Sequence, residues 1–214
     1  MTEQERRFTS FAAAKPKISK RADGKSVIEG YAAVFYRASD PGTEYDLGYG
    51  IRERISRGAF TRALREKQDV ACRFDHEELL GRSTSGTLRL KEDDIGLWYE
   101  VDIPETQCGR DTATMIERGD IQGASFAFRA TKVEWLDQGE TGTVRSVEDC
   151  ELYDVGPVVF PAYTATSTAV RAGTPENATL IKTECDEWRK SQNASANNEA
   201  DEVELRLALV NLDD

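Results

Sequence analysis

The chain holds one histidine, His76. Any imidazole chemistry at neutral pH therefore falls to it. It stands in the stretch FDHEELLG, just after the apolar run Val70–Phe74. Two readings are open: a loop histidine solvated among Asp75, Glu77 and Glu78, or a general base. The second needs a nucleophile within hydrogen-bond reach. Ser125, in GDIQGASFAF, is the candidate. Its neighbours Ala124 and Phe126 are small or apolar, and Gly123 permits close backbone approach or a bulge, which would aim the hydroxyl and free backbone N–H groups toward an oxyanion. The plainer reading is a small residue filling space on a strand. A serine–histidine pair calls for a third group to orient the imidazole, and with no second histidine that group must be acidic or absent. The segment SVEDCELYDVGPVV offers Glu148, Asp149, Glu151 and Asp154. Carboxylates inside a β-rich apolar segment are costly if buried unpaired. Glu151 and Asp154 stand closest to the apolar run that follows, and the alternative for both is a solvated edge.

Other chemistry is poorly served. Cys72, Cys108, Cys150 and Cys185 contain no CxxC pair, and without a secretory leader they read as reduced thiols. Cys108 has no basic residue in a motif with it, and Cys72, four residues from His76, need not share its face. One histidine and scattered cysteines argue against zinc. No glycine-rich phosphate loop occurs, so no cofactor is expected. The carboxylates do not single out the pair a glycosidase needs.

These residues need a scaffold, and the pattern supplies a stranded one. Ser26–Tyr36, Ile51–Ile55, Val70–Phe74, Gly86–Leu90, Gly96–Ile103, Ile121–Trp135 and Val144–Val159 read as strands by composition and alternation. Residues 37–50 read as a loop. Short helices are expected after Gly58 and over Asp111–Arg118, the latter ended by Gly119. About seven strands with few helices predict an α+β domain on a mostly antiparallel sheet or barrel. Residues 1–25 read as a polar N-terminal arm, 26–172 as the folded domain and 173–214 as an acidic tail. That tail has ten acidic residues against four basic ones, in a chain of net charge −11. The charge argues against a nucleic-acid binder, and no run approaches a membrane span. Within the tail, residues 191–202 read as a linker and Val203–Leu212 as a short helix or docking peptide.

Taken in order, five segments resemble the prohead protease family of tailed phages. VIEGYAAVF is similar to its opening strand, ERISRGAF to an E-x-I-x-x-G-A-F signature, FDHEELLGR to its histidine motif and GDIQGASFAF to its serine motif. ELYDVGPVVFPAYTATSTAV is similar to its closing segment. The resemblance spans about residues 17–172.

It implies a fold like that of herpesvirus assembly proteases: a mostly antiparallel β-barrel of about seven strands ringed by short helices. It implies a serine endopeptidase with Ser125 as nucleophile and His76 as base. Those enzymes use Ser-His-His, so here an acidic residue replaces the second imidazole. Glu151 is the first choice, five residues before Gly156, and Asp154 the alternative. Backbone N–H groups near Arg145 or at Ser125 would serve the oxyanion. Gly156 stands where relatives have Ser, a departure expected to matter little. The implied partners are the major capsid protein and its scaffolding segment, with a homodimer by analogy. The implied place is the procapsid in the host cytoplasm. The tail is the natural site for self-cleavage or scaffold targeting. The competing reading is an inactive structural or scaffolding component of the procapsid with the same fold.

Overall fold

The structure is a computed structural model that describes residues 4–9, 15–159 and 175–210. Its contacts divide the chain into two units, Met1–Ala178 and Thr179–Asp214. Among the described residues of the first unit, eleven strands run in chain order: β1 Glu5–Thr9, β2 Lys17–Lys20, β3 Ser26–Val34, β4 Tyr45–Gly48, β5 Ile51–Ile55, β6 Ala71–Phe74, β7 Glu78–Arg82, β8 Leu88–Glu92, β9 Gly96–Asp102, β10 Gly123–Asp137 and β11 Thr143–Val158. Helix α1 spans Thr61–Arg65 and α2 spans Gln107–Arg118.

Strand alternation explains the layers. In β5 the residues Ile51, Glu53 and Ile55 point inward while Arg52 and Arg54 are half-buried on the other face. In β10, Phe126 and Phe128 share one face and stack with ring centroids 4.8 Å apart. Phe60, just before α1, meets Phe126 edge-on at 5.6 Å. This aromatic group anchors one contiguous core, which also draws Ile28, Leu97 and Tyr99 from the strands β3 and β9. Helix α2 begins at Thr106, whose side chain accepts from the Gly109 N–H, and stops at Gly119 in the left-handed conformation.

Two sheets result. One has seven strands in the order β1-β10-β11-β5-β4, with β6 on the far end of β11 and β7 on β6. The other has four strands in the order β2-β3-β9-β8. The architecture is α+β and mostly stranded, but among the described strands the ladders remain two open sheets and do not close into a barrel.

Several segments differ from expectation. The first 25 residues hold two strands rather than only an arm, because Glu5, Arg7 and Thr9 alternate inward with the period of a strand. Part of the expected 37–50 loop is β4, and the acidic stretch after His76 is β7. Helix α3, Pro175–Val210, runs through the expected linker. The sequence there is poor in apolar residues, whereas alanine, glutamate and glutamine still favour helix. Leu212 and the closing motif from Phe160 to Val170 lie outside the described residues.

Candidate active site

Strand β10 runs antiparallel to β11, with Ser125 opposite Gly156 and Ala127 opposite Asp154. Residues two apart on a strand share a face. Ser125 and Asp154 are thus diagonal neighbours on one face, with a gap between them wide enough for an imidazole. The register runs without a shift from Gly123 to Ala127. The bulge expected at Gly123 is therefore absent; the ladder shifts come later, between Ala127 and Phe128 and around Lys132.

His76 reaches the gap from the side. Strand β6 lies parallel to β11 through Ala71–Asp154 and Cys72–Val155, and turns back into β7 through Asp75 and His76. Both have positive φ, 51° and 62°, and the Glu77 N–H donates to Phe74 O at 3.0 Å. Three residues, Asp75, His76 and Glu77, join the strands, and the first two take the left-handed conformation that glycine and asparagine usually fill in such turns. Left-handed backbone costs a side-chain-bearing residue about 1–2 kcal/mol. The surroundings hold it in place. The Asp75 N–H donates to Pro157 O at 3.1 Å, Asp75 Oδ1 accepts from the Val159 N–H at 2.9 Å, and Arg73 Nη1 donates to His76 O at 3.3 Å.

The result is a linear chain of three side chains. His76 Nε2 lies 2.6 Å from Ser125 Oγ, and His76 Nδ1 lies 2.6 Å from Asp154 Oδ1. All three residues are buried. A carboxylate can only accept, so the Nδ1 proton faces Asp154 and a neutral ring presents its Nε2 lone pair to the hydroxyl. This geometry fits proton abstraction from the serine.

The other carboxylate candidate is elsewhere. Glu151 accepts from Arg129 Nη2 at 2.7 Å and from Tyr153 Oη at 2.9 Å, and these bonds lower its pKa. Of the two acidic residues singled out by sequence, the structure brings Asp154 to the imidazole and leaves Glu151 in a half-exposed ion pair. The physical reason is strand parity. Gly156 faces Ser125, and its same-face neighbour is two residues back, not five. Glu148 instead accepts from Ser56 and Ser146, and Asp149 from Arg62 and Thr131. Cys72 is buried, and burial together with the Asp154 charge pushes its thiol up, so it stays protonated and is no nucleophile.

Gly156 turns out to matter. A Cβ there would lie 2.0 Å from Arg73 O, so glycine lets the β6 backbone settle against β11 and fixes the turn that carries His76. The departure from serine at this position, expected to matter little, thus shapes the β6–β11 contact. Gly156→Ala is expected to destabilise the fold by about 1–3 kcal/mol, the range for a core forced to overpack. Urea unfolding would show it as a lower midpoint with little change in slope.

Beneath the serine lies a feature the sequence reading missed. Glu5, Arg7, Glu53 and Arg145 form a buried cluster of two acids and two bases. Arg7 Nε donates to Glu53 Oε1 at 2.6 Å and its Nη2 to Glu53 Oε2 at 2.9 Å, a bidentate pair. Arg145 donates to both Glu5 and Glu53. Burial alone would raise the Glu5 carboxyl, but the Arg7 and Arg145 guanidiniums hold it below its ordinary range. Burial likewise opposes the charge on both arginines, and Glu53 and Glu5 raise them past it. The Arg145 side chain is thus committed to this cluster. Its backbone pairs with Trp135, ten residues along β10 from Ser125. The signal for the cluster was the alternation of charge in ERR and IRERI, which reads equally as an exposed edge.

A family model described as caudovirus prohead serine protease matches residues 14–180, well over half of the chain. The chain belongs to that family. Among solved structures, this prohead protease family member is similar to the bacteriophage T4 capsid assembly protease, gp21, at 12% identity and a TM-score of 0.47. The match covers 75% of this chain and 100% of that chain. No curated protein matches it by sequence. Membership makes it a capsid-maturation protease. Among the described residues, no helix is long and apolar enough to cross a membrane.

Proposed function

We propose that this prohead protease is a serine endopeptidase in which Ser125 attacks, His76 is the general base and Asp154 orients the imidazole. The observation that carries the reading is the Ser125–His76–Asp154 chain, with both heavy-atom distances at 2.6 Å. Attack of Ser125 Oγ on a peptide carbonyl forms an ester to the serine and releases the amine. His76 takes the hydroxyl proton at Nε2 and passes it to the leaving nitrogen, and Asp154 stabilises the imidazolium formed between these steps. Water then hydrolyses the ester by the same base. All three groups come from one chain, so the triad in this reading needs no residue from a second copy.

The substrate in this reading is the scaffolding segment of the major capsid protein inside the procapsid, with the chain itself as a second substrate. Confinement of many copies in one shell raises the effective concentration of enzyme and substrate together. The test is co-expression of the chain with the major capsid protein of its phage. Wild-type chain should shorten the capsid protein and the Ser125→Ala chain should leave it full length; shortening by both would remove Ser125 from the reaction. Intact masses of the two chains report self-processing in the same experiment, and equal masses would argue against it. The rival reading, an inactive scaffolding component, has no observation in its favour that matches the ordered triad.

A further inference from the structure

The nucleophile is fully buried, and what covers it is the protein's own N-terminal strand. β1 pairs antiparallel with β10 in the register Arg7–Phe126, Phe8–Ser125 and Thr9–Ala124. The other edge of β10 is taken by β11, so β1 occupies the one edge on which a peptide could be added beside Ser125. Three contacts fix it there. The Arg7 carbonyl lies 2.9 Å from Ser125 Oγ and accepts from it. The Phe8 ring meets the His76 ring edge-on, with centroids 5.8 Å apart. The Arg7 side chain points to the other face, into the bidentate pair with Glu53.

Two features separate this strand from an ordinary member of the sheet. The first is the serine proton. A hydroxyl has one hydrogen, which either Nε2 of a neutral His76 or the Arg7 carbonyl can accept, but not both. While β1 is seated, it competes with the general base for the proton that the base must remove. The second is the charge count. To the cluster β1 brings one acid and one base, Glu5 and Arg7, and the receiving face holds one of each, Glu53 and Arg145. The cluster is neutral with the strand and neutral without it. Its departure leaves a paired Glu53–Arg145 behind and no lone buried charge, which would cost several kcal/mol.

We infer that Glu5–Thr9 is a tethered occupant of the substrate groove, and that the groove takes an extended peptide with a basic residue, held by Glu53, at the position whose carbonyl meets Ser125. Such a peptide adds to the open edge of β10 by main-chain pairing, and its alternate side chains supply selectivity. The inward side chain meets Glu53, and the next one lies over His76, as Phe8 does. Cleavage requires β1 to leave first. The inference rests on the proposed triad and adds the substrate class and the block.

The test uses the full chain with a recognition site for a sequence-specific protease in place of residues 10–14, so that folding precedes cutting. Labelling of Ser125 by a small fluorophosphonate and cleavage of an arginine-containing peptide are timed before and after the cut, with circular dichroism alongside. A groove filled more than nine-tenths of the time hides about tenfold in apparent affinity, so both rates should rise at least about that much once the fragment leaves. Added peptide Glu-Arg-Arg-Phe-Thr should lower them again, and its Arg7→Glu version should not. Rates unchanged in chain freed of the fragment by gel filtration overturn the inference while labelled Ser125 keeps the triad. Equal inhibition by both peptides removes Glu53 as the selector. A chain that unfolds on losing the fragment shows β1 to be structural and also overturns it. No labelling in either form sinks the triad reading, and this inference with it.

Discussion

Ser125→Ala is expected to lower the cleavage rate by roughly 10⁵–10⁶-fold while the chain still folds, since removal of a serine nucleophile costs about that much where serine and histidine act as a unit. Folding should survive because the hydroxyl contributes little else. Its contacts are His76 Nε2 and Arg7 O, alanine fits the same strand position, and no cavity larger than an oxygen opens. His76→Ala should cost a similar factor, and the double variant should cost no more than either alone. Additive losses would mean that the two side chains act independently, contrary to the 2.6 Å contact. Single-turnover cleavage of a capsid-derived peptide would read all three.

The second large effect separates the carboxylates. Asp154→Asn is expected to lower the rate by roughly 10⁴-fold, whereas Glu151→Gln should leave it within about threefold, since its half-exposed pair with Arg129 is of a kind worth at most about 1 kcal/mol. The amide at 154 would present an N–H to Nδ1 as readily as an oxygen. That favours the tautomer with its proton on Nε2, where the base cannot accept from Ser125. The loss should fall on kcat more than on KM, because Asp154 acts through the imidazole and not on the substrate. A Glu151→Gln chain that loses as much as Asp154→Asn would mean that the ordered chain of 2.6 Å contacts is not the working one.

The same pair of carboxylates shows how far the sequence could be read. His76 and Ser125 were legible because each belongs to a motif, and the motifs occur in order. The third group was open between Glu151 and Asp154, and counting residues back from Gly156 favoured Glu151, whose side chain pairs with Arg129 instead of the imidazole. Strand parity at Ser125–Gly156 favours Asp154 at once, but it requires knowing that these two residues pair, and pairing is a long-range fact. The same holds for β1. Five residues with three charges read as a solvated arm, because local pattern does not reveal that Glu53 and Arg145 wait in the interior to neutralise them. The turn at Asp75–His76 was hidden for a different reason: neither residue is the usual choice for positive φ, and the surrounding hydrogen bonds impose it. The long strands β10 and β11 and helix α2 were readable to within a few residues, since hydrophobic period and a glycine stop are local. Two open sheets in place of a barrel could not be read, because closure depends on which edges meet.

Strain and burial bear on function together. A histidine held in left-handed backbone is a cost that stability alone would not select, and it aims the ring into the gap between Ser125 and Asp154. Gly156 permits the close approach that makes this turn reachable. Both lie on the β6–β11 contact, so variants there should lose stability and rate together. Variants in the surface pair of Glu151 and Arg129 should lose neither.

The most direct measurement is a peptide map of the chain after prolonged exposure to a serine-directed fluorophosphonate. A single adduct on Ser125 in the wild-type chain, absent from the His76→Ala chain, is the predicted result. An adduct on another residue, or one on Ser125 that forms equally well without His76, would contradict a serine activated by that imidazole.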